Sequence, residues 1–141
     1  MSRVQVALCV VTIFVGLGAC SMGQMAALNP AVAEIEQRIA GRENDPAEEV
    51  FQNIQVMKGM PAGRVLAIMT EGFAPALGVR CSHCHVSGEW HLDEKEPKRI
   101  ARGMWTMTGE INKQVKQITA DADAQVRCAT CHQGNVEPPS S

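Results

Sequence analysis

Two copies of one short motif constrain this chain more than any other feature of its sequence. Cys81 to His85 reads CSHCH and Cys128 to His132 reads CATCH, so each copy is a Cys-x-x-Cys pair followed directly by His. The other two Cys lie within the first 20 residues, so the four motif Cys form two complete pairs. The sequence therefore predicts one chemical task that is performed twice.

Three kinds of site use Cys-x-x-Cys pairs. Two such pairs can supply four thiolates to a zinc ion, but zinc does not require a His after each pair. A thioredoxin-like dithiol uses a single pair between a strand and a helix, and no strand pattern flanks either motif. In Cys-x-x-Cys-His, both thiols form thioethers with the haem vinyl groups, and the His becomes the proximal ligand of the iron.

The third interpretation uses every residue of both motifs, so we predict two covalently attached haem c groups. The thioether residues are Cys81, Cys84, Cys128 and Cys131, and the proximal ligands are His85 and His132. A structural lipoprotein with zinc knuckles, which would be colourless, remains the alternative.

The N-terminus has the features of an export signal. Residues 4–17, VQVALCVVTIFVGL, follow Arg3 and are too short to form a stable membrane-spanning helix. The next residues complete a sequence, Leu17-Gly18-Ala19-Cys20, that resembles a bacterial lipobox. We therefore predict a signal peptide over residues 1–19 and a lipid on Cys20 that anchors the chain to the periplasmic side of a bacterial membrane. Ser21 slightly favours the outer membrane, and an ordinary signal peptide cut nearby is the alternative.

Charge and composition narrow the possible partners and the kind of core. With 13 Lys and Arg against 15 Asp and Glu, the net charge is −2, which argues against a nucleic-acid partner. Aromatic residues make up only 4% of the chain and Tyr is absent. We expect two large apolar haems to supply much of the missing core, so that folding depends on haem attachment.

Apolar residues recur at helical spacing along the chain, and no alternating segment predicts a strand. We expect four helices, running from Pro30 to Gly41, from the Asp45 capping box to about Lys58, from Pro61 to a break at Pro75 and Gly78, and from Pro97 to about Ile118. The fold class is therefore all-α, a small helical multihaem cytochrome c domain ordered as helix–CxxCH–helix–CxxCH with long loops. Residues 45–138 form this domain, residues 20–44 are a tether with a short helix, and residues 139–141 are a frayed tail.

Four stretches together resemble a known family. They are VFQNIQVMKG, MTEGFAPALGVRCSHCH, ARGMWTMTGEIN and CATCHQGNVEPP, and they span most of residues 50–138. They are similar to one half of the multihaem cytochrome subunit of photosynthetic reaction centres and to the diheme cytochromes related to it. In that family a Met from the helix preceding each motif is the distal ligand. The resemblance therefore implies Met69 for the first haem and Met104 for the second.

Other side chains compete for these roles. Met107 shares a helix face with Met104, and Met57, Met60 and His91 are alternatives for the first haem. His83 lies inside its own motif and is expected to be exposed, while Trp90 and Trp105 are expected at the haem edges. Five Arg flank the motifs and either pair with haem propionates or are simply solvated: Arg64, Arg80, Arg99, Arg102 and Arg127.

Axial ligation determines the expected function. If His and Met fill both axial positions of each iron, no site remains for a small-molecule substrate, and one-electron transfer between redox partner proteins is the chemistry left. The prediction is an electron carrier, not an enzyme. A haem enzyme or gas sensor is the alternative, and it requires one five-coordinate iron.

Overall fold

The computed structural model describes residues 29–140, so the predicted signal peptide, Cys20 and most of the tether lie outside the described residues. Its helices are α1 (Pro30–Ile39), α2 (Ala47–Val50), α3 (Ala62–Ala67), a π-helical segment (Ile68–Phe73), α4 (Ala74–Leu77), α5 (Cys81–Cys84), α6 (Glu96–Thr119) and α7 (Cys128–His132). Within residues 29–140 the backbone forms no strand, only the isolated bridges Pro46–Pro61 and Val86–Glu89. The all-α prediction is confirmed. None of the described helices is long and apolar enough to cross a membrane.

Helix α1 begins as the sequence predicts. The side chain of Asn29 accepts a hydrogen bond from the backbone N–H of Ala31, and Pro30 occupies the first helical position, where its missing N–H costs nothing. Val32 and Ile39 are buried on one face of the helix. The helix therefore packs as an amphipathic element against the rest of the domain.

The helix expected from Asp45 to about Lys58 is wrong in extent, because α2 ends at Val50. Asp45 does not cap it and instead pairs with Arg42. The carboxylate of Glu48 accepts a hydrogen bond from the backbone N–H of Gly59, at 2.8 Å, and so holds a loop closed. Asn53 and Met57 have positive φ within that loop, a conformation that a continuous helix excludes.

The break expected at Pro75 is also wrong, because the chain stays helical from Ala62 to Leu77. In a regular helix the Pro75 ring would clash with the carbonyl four residues earlier. Here the preceding turn widens to π geometry, with the N–H of Ala74 bonded to the carbonyl of Met69 five residues back. The helix ends at Gly78, which has a left-handed backbone conformation.

The segments that flank the two motifs meet through a close backbone contact. The N–H of Gly134 donates to the carbonyl of Ala76 at 2.9 Å. A Cβ at Gly78 would lie 2.2 Å from the carbonyl oxygen of Gly134, so only glycine fits at this position. The end of the helix that precedes the first motif is thereby fixed against the loop that follows the second.

The protein core is thin. In residues 29–140 the buried apolar residues are Val32, Ile39, Ala47, Met57, Ala62, Val65 and Ala76, and three of these seven are alanines. No large side chain in this part of the chain is fully buried. Partly buried apolar residues instead surround open clefts, which is the arrangement expected of a fold that is completed by large apolar groups.

Candidate functional site

Each motif lies on its own cleft. The first cleft is lined by Cys81, Cys84 and His85 of the first motif together with Met69 from the π-helical segment. Its other walls come from α1, the loop around residues 53–57, Trp90 and the first turns of α6. The space between these walls is about 1070 Å³, open solvent included.

The second cleft is lined by Cys128, Cys131 and His132 of the second motif together with Met104 from α6. It encloses about 950 Å³, open solvent included, and its walls are almost entirely apolar. Along α6 the apolar residues at its surface include Ile100, Met104, Met107 and Ile111. Ile100, Met107 and Val136 are 50%, 46% and 43% exposed, so this cleft presents apolar surface at its mouth.

A single layer of side chains separates the two clefts. Phe73, Leu77, Cys84 and Ala101 line both of them. One of these shared residues is a thioether residue of the first motif. Groups bound in the two clefts would therefore be near neighbours.

The His of the first motif has a fixed ring. Nδ1 of His85 lies 2.9 Å from the carbonyl oxygen of Trp90, and only a protonated nitrogen can bond to a carbonyl. The tautomer is therefore Nδ1–H, which leaves the Nε2 lone pair free to bind a metal. Burial lowers the pKa of His85, so the ring is kept in the neutral form that ligation needs.

The His of the second motif has the same tautomer with different partners. Nδ1 of His132 lies 3.1 Å and 3.0 Å from the carbonyl oxygens of Asn135 and Val136. Both acceptors follow within four residues, so this ring is held by its own loop. Again Nε2 is left free to bind a metal.

The four motif Cys are chemically available. None of Cys81, Cys84, Cys128 and Cys131 is in a disulfide. Burial raises the pKa of the Cys84 thiol, which keeps it protonated. Across residues 29–140 no group of three or more His, Cys, Asp or Glu side chains comes together to hold a metal ion. Thiols, a free imidazole nitrogen and an apolar cleft at each motif fit haem c.

The first cleft also has charged side chains beside it. Arg102 makes a bidentate pair with Asp93, with both distances 2.9 Å, and Lys98 reaches the same carboxylate at 3.0 Å. These two cations hold the pKa of Asp93 well below its usual range, Arg102 having the larger effect. The Lys98 ammonium also donates to the carbonyls of Trp90 and Leu92, at 3.0 Å and 2.7 Å.

Comparison with known proteins identifies the family. The model of the photosynthetic reaction centre cytochrome c subunit family matches residues 17–141. The photosynthetic reaction center cytochrome c subunit of Thermochromatium tepidum is 36% identical over 95 residues, which are 65% of this chain and 22% of that protein. The subunit of the same name from Rubrivivax gelatinosus is 34% identical over 109 residues, 75% of this chain and 28% of that protein. Cytochrome c-554 of Chloroflexus aurantiacus is 32% identical over 81 residues, 57% of this chain and 20% of that protein.

This chain belongs to the photosynthetic reaction centre cytochrome c subunit family. The resemblance drawn from the motifs is thereby confirmed, and haem c is the cofactor of a cytochrome c. The chain spans about a quarter of the length of the family members it matches, between 20% and 28%. Its place in any larger assembly is therefore a separate question.

Some of the candidate distal ligands line the clefts and others do not. Met69 and Met57 both line the first cleft, and Met104 and Met107 both line the second. Met60 lines neither of them, and His91 also lies outside both, 3.6 Å from the carboxylate of Glu89. Met69 and Met104 stay predictions as ligands.

Several flanking residues differ from their expected placement. His83 is half-buried and lines the second cleft, so the expectation that it is exposed is wrong. Trp90 lines the first cleft, whereas Trp105 packs on Phe73 at 6.3 Å between ring centroids and lines neither cleft. The five flanking Arg also divide between positions: Arg80 and Arg102 line the first cleft, Arg127 lines the second, and Arg64 and Arg99 are exposed.

Sequence reasoning missed Lys98. Lys98 is 8% exposed and lines the first cleft, although lysine is rarely buried. A helical projection of EPKRIARGM would have placed it on the face of Ala101 and Arg102, one turn further along. Nothing in the sequence, however, indicates that this face lies against the loop that holds His85.

Proposed function

We propose that the chain is an electron-transfer protein that holds two haem c groups, one in each cleft. The observation that supports this most is the donor set of each cleft: two thiols, a His with Nε2 free, and a Met from a preceding helical segment. The relatives are named as cytochromes, and a c-type cytochrome with filled axial positions exchanges single electrons.

Each cleft assigns roles to its residues. Cys81 and Cys84 would hold the first haem and His85 would ligate its iron, with Cys128, Cys131 and His132 doing the same for the second. Met69 and Met104 would complete the axial sets. Each group, when bound, supplies a one-electron iron couple whose potential depends on its ligands and burial.

The shared wall suits transfer within the chain. Phe73, Leu77 and Ala101 line both clefts, so groups held in the two clefts would lie close together. The apolar mouth of the second cleft, with Ile100, Met107 and Val136, is suited to contact with a redox partner protein. We infer that electrons are exchanged with partner proteins at this edge.

Two measurements test this proposal. The protein is matured with haem attachment machinery, quantified as pyridine haemochrome per chain, and its reduced spectrum is recorded with and without carbon monoxide. We expect two haems per chain and no response to carbon monoxide. One haem or none contradicts the two-haem proposal, and carbon monoxide binding to the unmodified protein would make it a haem enzyme or gas sensor. The double variant Cys128→Ala/Cys131→Ala serves as a one-haem control.

The membrane location is a separate proposal. We infer that lipid on Cys20 holds the chain at the periplasmic side of a bacterial membrane, with the outer membrane favoured. Labelled palmitate should enter the wild-type chain and a Cys9→Ser control, but not a Cys20→Ser variant. Labelling of the Cys20→Ser chain would exclude Cys20 as the lipidated residue.

A further inference from the structure

The two proximal His sites differ in one contact. At the first site, the carbonyl oxygen of Trp90 accepts two hydrogen bonds, one from Nδ1 of His85 at 2.9 Å and one from the ammonium of Lys98 at 3.0 Å. At the second site, the carbonyls of Asn135 and Val136 bond Nδ1 of His132, and no lysine or arginine among the described residues bonds to either of them. Only the first site shares its acceptor with a cation.

Lys98 is held rigidly in that position. Its Nζ has acceptors at 3.0 Å (Trp90), 2.7 Å (Leu92) and 3.0 Å (Asp93). An ammonium has three donors, so all three are used. The side chain is only 10% exposed, so water screens its charge weakly.

We propose that Lys98 is a positioning residue that raises the reduction potential of the first haem relative to the second. This inference rests on the proposed function, since it needs a haem ligated by His85. Lys98 acts through the carbonyl of Trp90, which binds the ring of His85. The proposal does not involve the distal ligand.

Two physical effects of Lys98 both raise the reduction potential of the first haem. A hydrogen bond from Nδ1–H to a carbonyl makes imidazole a stronger donor to the iron, which favours the ferric state. A cation on the same carbonyl draws its electron density away, weakens that bond and favours the ferrous state. The fixed positive charge of Lys98 also opposes the extra positive charge of ferric iron.

The counter-ion does not cancel this effect. Asp93 lies beside Lys98 but is 41% exposed, and it also pairs with Arg102, which is 16% exposed. One carboxylate therefore faces two better-buried cations, and the cluster of Lys98, Arg102 and Asp93 carries a net positive charge. Water screens the anion more strongly than it screens either cation.

The first test is the variant Lys98→Gln, which removes the charge and can still donate to a carbonyl. Potentials of both haems are measured by equilibrium redox titration, and proton NMR contacts to Trp90 assign the first haem. We expect the equilibrium constant for reduction of the first haem to fall about tenfold, which is about 59 mV for one electron. The second haem should shift less. Equal shifts of both haems, or none, would overturn the proposal.

Two control variants separate charge from structure. Lys113→Gln removes the same charge from an exposed position on the same helix, where Lys113 is 70% exposed, and should move neither potential measurably. Lys98→Arg keeps the cation and should retain most of the difference between the haems. Loss of that difference in Lys98→Arg as well as in Lys98→Gln would show that the charge at this position does not determine the potential.

A second variant, with a potential shift expected in the opposite direction, tests the proposal even if Lys98→Gln folds poorly. Asp93→Asn removes the anion and leaves Lys98 in place, so the potential of the first haem should rise. An unchanged or lower first potential in this variant would contradict the proposal. Pyridine haemochrome is recorded for every chain, because a loss of haem would count against the proposed function, whereas two haems with unmoved potentials would count against Lys98 alone.

Discussion

The first and second haem-motif sites share a donor set and differ in how the protein surrounds them. The first cleft is built from segments far apart in the chain: Asn29 reaches the sulfur of Cys81, and Glu34 accepts from the indole of Trp90. The second cleft is built mainly from one long helix and from the second motif with its flanking residues. One site is therefore tertiary in construction and the other is largely local.

This difference suggests a division of labour. The first site lies against the small buried cluster of Ala47, Met57 and Val65 and has charged groups beside its proximal His. The second site has an apolar mouth, and among residues 29–140 no lysine or arginine bonds to the carbonyls that hold its His. We expect the first site to determine folding and potential, and the second to determine contact with partners.

Removing one pair of thiols should produce the largest difference between the two sites. Without Cys81 and Cys84, the first cleft loses the group that its four surrounding segments pack on, so we expect the Cys81→Ala/Cys84→Ala chain not to accumulate. Cys128→Ala/Cys131→Ala should fold with one haem, because seven of the residues that line the second cleft lie on a single helix, α6. Haem per chain and far-UV circular dichroism provide the measurement. Equal accumulation of the two variants would show that the sites contribute equally to folding.

Removing either Met proposed as a distal ligand should have the next largest effect and should act on one site only. Met69→Ala and Met104→Ala should each open one iron per chain to carbon monoxide and remove the near-infrared methionine-to-iron band of that haem. Met57→Ala and Met107→Ala are matched controls from the same two clefts and should leave both bands in place. An intact band in Met104→Ala would move the ligand assignment to Met107.

Much of the fold could be predicted because local signals and tertiary packing agree. Helix α6 runs Glu96–Thr119, close to the expected span, since Pro97 begins it and one apolar stripe continues along it. The helix predicted from Asp45 is too long because a residue of its capping box binds elsewhere: the carboxylate of Glu48 accepts a hydrogen bond from the N–H of Gly59. The break predicted at Pro75 is wrong because a π turn can accommodate a proline that a regular helix cannot.

In the candidate site, too, some features could be predicted from the sequence and others could not. The covalent and proximal roles that we propose follow from the motif itself, and the Cys and His of each motif line the same cleft. The partners of the proximal rings could not be predicted, since Trp90 approaches His85 through a loop and Lys98 through a helix. Placement of His83 on the second cleft likewise depends on how the two motifs pack together.

A smaller effect should link the two sites through Gly78. Gly78→Ala adds both a left-handed backbone cost and a clash with the carbonyl of Gly134, so we expect a loss of about 3 kcal/mol in unfolding free energy. Gly88→Ala is the control, because Gly88 has φ +81 with open space around it and should cost only about 1 kcal/mol. Urea unfolding measures both variants. Equal losses would show that the Gly78–Gly134 contact contributes nothing to stability.

The smallest effect should separate the sites by pH. Arg102, and to a lesser extent Lys98, lowers the pKa of Asp93 in the folded protein, so this contribution to stability is full above the ordinary value of about 4 and is lost as pH falls below it. Because Asp93 is 41% exposed, the contribution is modest. Urea unfolding followed at the first haem should therefore lose stability more steeply in acid for the wild type than for Asp93→Asn. Since every other carboxylate is common to both chains, their difference isolates this one residue, and parallel acid profiles would show that the charged cluster does not stabilise the first site.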